Sequence, residues 1–249
     1  AYDALIASTP PGFLARCADV PADVTPIFVV GMPRTGTTLL ERILGNHPQI
    51  TTCGELNDLR QQMQWVNDQR LSLTLDPGIG DYVARLDADL LGHRYLAKTR
   101  WATRGRAFYV DKHPMNFQWC GAILKALPHA KIIHLRRHPM DSCFSNLKEL
   151  FAHKYYPYSY ALDDLATHYR NYARLMRHWH AIAPGRILDV RYEDLATQPD
   201  EQARRVQDYL GLPQVEGVTD ILANKTVTTT ASTLQLRQPI HRRNIGGWR

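Results

Sequence analysis

The chain has 249 residues, 44% of them hydrophobic and 22% charged, which suits a packed core of one α/β domain or two small ones and argues against disorder. No run of about 18 apolar residues occurs, which excludes a single-helix membrane span. The formal net charge of +6 suits an anionic ligand, but charge alone suits nucleic acid equally and decides nothing. Four cysteines, Cys17, Cys53, Cys120 and Cys143, have neither CxxC pairing nor metal-ligand spacing, so they read as free thiols of a reducing compartment. Residues 1–20 lack the basic stretch and apolar block of a signal peptide, and a cytoplasmic location is expected. The first residue is not Met and the chain stops at Trp248-Arg249, so both ends read as trimmed.

Residues 1–25 read as a leader, the end of a longer N-terminal region, and 26–249 as one domain. Pro26–Gly31 is a short apolar run bounded by proline and glycine, which predicts a buried strand. A turn, Met32–Gly36, precedes a helix at Thr37–Leu44 whose apolar positions share a face. Residues 107–110 form a second strand, followed by a helix from Asn116 to Leu127 that ends near Pro128. Lys131–Leu135 is a third strand, and Pro139 sits in the first turn of the next helix, with Asp141 suited to its dipole. A long helix spans Leu162–Ile182, Arg186–Val190 is a fourth strand, and a helix runs from Pro199 to Leu210. Strands alternating with helices predict an α/β fold, an open and mainly parallel sheet flanked by helices. Residues 224–249 read as an irregular tail folded back on the domain.

Gly31–Thr38 has the frame of a phosphate-binding loop: strand, GxxxxG, hydroxyl residue, helix. Its glycines let the backbone wrap an oxyanion, and the amides at the helix start point at it. At the position of the usual nucleoside-triphosphate lysine stands Thr37. A loop without that lysine handles a γ-phosphate and its magnesium poorly, whereas a sulfuryl donor carries less charge and needs no bridging metal. Downstream, Arg137 closes a strand and Ser145 lies eight positions later on a helix, so both can converge on one anion.

The segment Pro26–Pro48, with Arg34, Thr38 and Leu39, resembles the 5′-phosphosulfate loop of sulfotransferases that use 3′-phosphoadenosine 5′-phosphosulfate (PAPS), in the bacterial form similar to tyrosylprotein sulfotransferases. The resemblance implies a P-loop-like sulfotransferase domain. Arg34, Thr35, Gly36, Thr37 and Thr38 would hold the 5′-phosphosulfate, and Arg137 with Ser145 the 3′-phosphate. Val190–Leu195 resembles the family's Tyr-Glu-Asp-Leu segment, which makes Tyr192 an adenine partner. Residues 230–248 resemble its closing segment, with Ser232 seven residues before Pro239. Gly246-Gly247 stand where the family often has a basic residue before the tryptophan, and Arg242 or Arg243 would supply that charge.

By the same resemblance the catalytic base is Glu55, 21 residues after Arg34. Lys112 stabilises the leaving side, Ser232 assists it, and Arg34 neutralises sulfuryl oxygens. His113 is the competing base, because cytosolic sulfotransferases use a histidine two residues after their comparable lysine. The implied function is sulfuryl transfer from PAPS, releasing PAP, to an acceptor hydroxyl, without a metal. A peptide tyrosine is favoured as acceptor, with glycans and small molecules open, and neither nucleic acid nor membrane is an expected partner. Two other classes compete, a P-loop phosphotransferase or nucleoside triphosphatase and an inactive nucleotide-binding module. The first predicts a lysine at 37, and the second predicts loss of Glu55, Lys112 and Ser232.

Overall fold

β1 (Thr25–Gly31) is buried from Pro26 onward, and its side chains divide with the two-residue period of a strand. Phe28 and Val30 enter one apolar cluster, and Ile27 and Val29 enter the other. Burial on both faces is why this segment is a continuous apolar run rather than an alternating one. Each such large side chain contributes about 1.5–3 kcal/mol. The computed structural model describes residues 1–72, 74–149, 151, 156–223 and 238–249.

Four further strands, β2 (Ile50–Thr52), β3 (Phe108–Asp111), β4 (Lys131–Arg136) and β5 (Ile187–Arg191), complete a five-stranded sheet of order β2-β3-β1-β4-β5. Every ladder is parallel, with Phe28 opposite Asp111 and Gly31 opposite Leu135. The ten α-helices among the described residues are α1 (Tyr2–Ala7), α2 (Thr37–Leu44), α3 (Asp58–Val66), α4 (Ile79–Ala84), α5 (Ala88–Thr99), α6 (Cys120–Ala126), α7 (Pro139–Leu147), α8 (Leu162–Ile182), α9 (Tyr192–Thr197) and α10 (Pro199–Leu210). On one sheet face Tyr95 of α5, Ile123 of α6 and Trp179 of α8 pack into the larger cluster. On the other face Leu40 and Ile43 of α2 pack with Val206 and Leu210 of α10. The expected open parallel sheet flanked by helices is thereby observed.

Beyond β2 and α9, which have no counterpart in the sequence expectation, three longer segments differ from it. The helix expected over 116–127 is a 3-10 turn, Pro114–Trp119, followed by the shorter α6. Pro114 starts the turn early, and its tighter winding brings the Phe117 carbonyl to Trp179 Nε1, which donates to it at 2.8 Å. Residues 58–99, for which no element was expected, carry α3, α4 and α5. Residues 1–25, expected as a leader, pack into the same core as the sheet and its helices. Leu5 is 1% exposed within the larger cluster, and Thr9 Oγ1 lies 2.8 Å from His178 Nε2. No described helix is long and apolar enough to cross a membrane.

Candidate active site

The chain leaves β1 toward β2 and β3 on one side of the sheet and later fills β4 and β5 on the other. The carboxyl ends of β1 and β4 therefore flank a topological switch point, where open α/β sheets bind ligands. The loop after β1 is shaped by its backbone. Arg34 has φ +67° and Gly36 φ +99°, both left-handed, and Thr35 Oγ1 donates to Met32 O at 2.7 Å to close the turn. Gly31 is also required, since a β-carbon there would stand 2.5 Å from Leu135 O on the neighbouring strand. Gly36 caps α2, so the first amides of that helix, at Thr37 and Thr38, open toward the loop.

A cavity of about 400 Å³ lies at this switch point, and Arg34, Gly36, Thr38, Arg137, Ser145 and Tyr192 all line it. Arg34 Nε lies 3.4 Å from Ser145 Oγ and 3.6 Å from Glu149 Oε2. Arg137 donates from Nη1 to Arg34 O at 2.8 Å and from Nη2 to Asn244 O. Its guanidinium carbon is 4.9 Å from the centre of the Tyr192 ring. Tyr192 thus packs between Gly36 and Arg137 and is 6% exposed. The two groups expected to hold the 5′-phosphosulfate and the 3′-phosphate, the loop and the Arg137–Ser145 pair, share one cavity. Thr35 and Thr37 are buried behind it.

The closing segment reaches the same place. Asp141, at the start of α7 and 3% exposed, accepts the backbone N–H of Gly246 at 2.8 Å and of Trp248 at 3.2 Å. The Trp248 ring stacks on His138. Arg243 lines the cavity, whereas Arg242 turns outward and donates to Thr197 O at 3.3 Å. Ser232 lies outside the described residues.

Lys112 follows β3, the neighbour of β1, and its side chain is 0% exposed. Its Nζ is 2.7 Å from Glu55 Oε1, and the Glu55 side chain is 38% exposed. The backbone sets this pair: Lys112 N donates to Gly54 O at 2.9 Å. His113, the alternative base, points elsewhere. It lines a separate small cavity with Arg60 and Asn116, and its Nδ1 is buried without a partner. Burial pushes its pKa below the ordinary imidazole value. Beside Lys112, burial raises the Asp111 carboxyl to about 8, although the Tyr95 hydroxyl donates to it at 2.9 Å.

Sequence reasoning missed Glu41, Glu149 and the anchoring role of Asp141. Glu41 was legible from helix spacing, because it follows Thr37 and Thr38 by one turn of α2 and so returns to the loop side. Glu149 and the tail contacts of Asp141 depend on tertiary closure. Among the described residues one His/Asp group has metal-ligand spacing: His134, His180 and Asp189. Its Asp189 Oδ1 meets His134 Nδ1 at 2.8 Å and His180 Nε2 at 2.9 Å, while Oδ2 takes Arg136 at 2.9 Å. Burial alone would raise the Asp189 pKa, but the two histidine hydrogen bonds outweigh it and hold it well below the usual carboxylate range. That arrangement is a satisfied ionic network away from the cavity. All four cysteines are free.

A strand–loop–helix cradle at the switch point, a second basic site after β4, and a threonine in place of the triphosphate lysine define a P-loop-like α/β domain. Comparison with known proteins identifies which one: the sequence model of the Sulfotransferase family matches residues 26–216, and the chain belongs to that family. An uncharacterized protein of Aquifex aeolicus is 33% identical over 246 residues, covering 90% of this chain and 30% of that protein. Protein-tyrosine sulfotransferase 1 of Danio rerio is 27% identical over 203 residues, covering 79% of this chain and 56% of that one. The chain thus spans 30% and 56% of the lengths of these two curated relatives. The sulfotransferase domain of the Synechococcus PCC 7002 olefin synthase has the same fold, with a TM-score of 0.63 at 20% identity, over 94% of this chain and 91% of that one.

Proposed function

We propose that the chain transfers a sulfuryl group from PAPS to an acceptor hydroxyl. The observation that carries this reading is the single cavity into which both the β1–α2 loop and the Arg137–Ser145 pair open. A donor with anionic groups at the 5′ and 3′ positions of one ribose needs two neighbouring sites of this kind. The loop amides and Arg34 hold the 5′-phosphosulfate, Arg137 and Ser145 hold the 3′-phosphate, and Tyr192 lies beside them for the nucleoside. Arg243 adds charge from the closing segment.

In the transfer step the acceptor oxygen attacks sulfur, and the bond from sulfur to the bridging oxygen breaks. Glu55 takes the acceptor proton, and PAP leaves with the electron pair, its developing charge met by Lys112. Ser232 supports Lys112 in this scheme. The protein's contribution is positioning and charge stabilisation. No metal is required at the donor, because the transferred group is less anionic than a phosphoryl group. The relation to a protein-tyrosine sulfotransferase favours a tyrosyl phenol as acceptor, with glycans and small molecules as the other classes.

The test is transfer from radiolabelled PAPS to pooled tyrosyl peptides, phenols and glycans. Labelled acceptor and stoichiometric PAP are expected. Transfer of a phosphoryl group from ATP instead would replace this reading with a phosphotransferase.

A further inference from the structure

α2 places a third charged group beside the Lys112–Glu55 pair, and the transfer scheme leaves it without a role. Glu41 is 6% exposed, and its Oε2 lies 3.9 Å from Lys112 Nζ. Its Oε1 accepts the backbone N–H of Gly54 at 2.9 Å. The carbonyl of the same Gly54 accepts the backbone N–H of Lys112 at 2.9 Å. One residue, held at φ +69° immediately before Glu55, is therefore tied to both Glu41 and Lys112.

The chemistry makes a demand on this group. At rest Lys112 faces Glu55 at 2.7 Å. For Glu55 to take the acceptor proton, its carboxylate must turn from the ammonium to the acceptor hydroxyl. Glu55 is partly exposed and can move toward solvent, whereas the Lys112 side chain is wholly buried and cannot. A buried ammonium that loses its counter-charge is strongly disfavoured. As Glu55 becomes neutral, the ammonium needs another carboxylate within reach.

We infer that Glu41 is a positioning residue, a second counter-ion that holds Lys112 while Glu55 is released to act as base, and a tether that fixes the Gly54–Glu55 turn. The inference rests on the proposed roles of Glu55 and Lys112. Burial pushes the Glu41 pKa above the ordinary carboxylate value, and Lys112 followed by the Gly54 N–H opposes that shift.

The substitution Glu41→Gln separates charge from shape, since its amide oxygen can still accept the Gly54 N–H. Steady-state transfer from labelled PAPS to a phenol is compared in wild type, Glu41→Gln, Glu41→Asp, Glu55→Gln and Lys112→Met, with PAP affinity and melting temperature measured on each. For Glu41→Gln, kcat is expected to fall about 10–100-fold, the range that partners behind a reacting group carry at metal centres. Acceptor KM and PAP affinity should stay within about twofold, as expected when an interaction made in the transition state is lost. Glu41→Asp, which restores the charge, should recover part of kcat. In a Lys112→Met background Glu41→Gln should add nothing, because groups acting through one another are not additive. Wild-type kcat in Glu41→Gln beside an impaired Glu55→Gln overturns this inference alone. So does a loss that is matched by weakened PAP binding, or that persists in the Lys112→Met background. Normal turnover in Glu55→Gln overturns the parent assignment and this inference with it.

Discussion

A β-carbon on Gly36 would stand 2.6 Å from Cδ2 of Tyr192, so the donor loop and the start of α9 fit together only with glycine at that position. Gly36 also has φ +99°, which any other residue adopts at a cost. Gly36→Ala should therefore destabilise by about 1–3 kcal/mol through overpacking and about 1–2 kcal/mol through the left-handed backbone. PAP affinity should fall as well, because Gly36 caps the helix that presents the loop amides. Combining it with Tyr192→Ala should relieve the clash and leave the backbone cost, so calorimetric melting of the two single variants and the double should show a combined loss smaller than the sum of the single ones. An unchanged melting temperature in Gly36→Ala would contradict the contact.

Arg137 is expected to distinguish PAP from AMP. Wild type should bind PAP far more tightly, and Arg137→Ala should erase most of the difference, about 1.5–3 kcal/mol for a hydrogen bond to a charged group. The comparison of the two ligands matters, because Arg137 also donates to Arg34 O and Asn244 O and its loss loosens the site for both. Isothermal titration showing equal affinity for PAP and AMP in wild type would remove the basis of the assignment.

Asp111 gives the protein a specific pH dependence. Its carboxyl titrates near 8 when folded because it is buried, against about 3.9 when unfolded. Between those values the native state holds a proton that the unfolded state has lost, so stability falls as pH rises through the window and levels off above it. Asp111→Asn keeps the shape and removes the titration, so its stability should decline less between about pH 5 and pH 8. Denaturant midpoints across that range check this, and parallel curves for wild type and variant would contradict it.

How much was readable from the sequence depended on where the determining contacts lie. α2, α8 and α10 start and stop where the sequence predicts, because the signals that bound them, Gly36, the Pro184-Gly185 pair just after α8 and Pro199, act within a turn of the chain. β1 was legible because a strand buried on both faces is an uninterrupted apolar run. β2 has only three residues at the sheet edge and reads as loop. α3, α4 and α5 lack strong local boundaries, and only α5 has a side-chain cap, from Asp87 to the N–H of Leu90. In the site, Arg34 and Tyr192 are named by resemblance to family motifs and Arg137 with Ser145 by spacing and resemblance together, and all four line one cavity. Glu55 is named by the resemblance, from its distance after Arg34, and the structure sets it against Lys112. Glu41 could be read from its place one turn after Thr37 and Thr38 on α2, whereas Glu149 and the grip of Asp141 on the tail arise from tertiary contacts, which spacing does not encode.

Removal of divalent ions should leave transfer intact. Thr37 replaces the lysine of triphosphate loops, and His134, His180 and Asp189 lie apart from the cavity with Arg136 already on the carboxylate. Rates in excess EDTA should match those with added magnesium. Activity lost on chelation and restored by magnesium would favour phosphoryl chemistry.

The most direct measurement is turnover of Glu55→Gln beside His113→Asn, with PAPS as donor and a series of substituted phenols as acceptors. Glu55→Gln should keep PAP binding and lose about 10²–10⁴ in kcat, the usual contribution of a positioned base. The deficit should narrow as the phenol becomes more acidic than tyrosine's value of about 10, since a more acidic hydroxyl needs the base less. His113→Asn should lose much less, because that side chain faces a separate cavity. Normal turnover in Glu55→Gln with an inactive His113→Asn would contradict the account and transfer the role of base to the histidine.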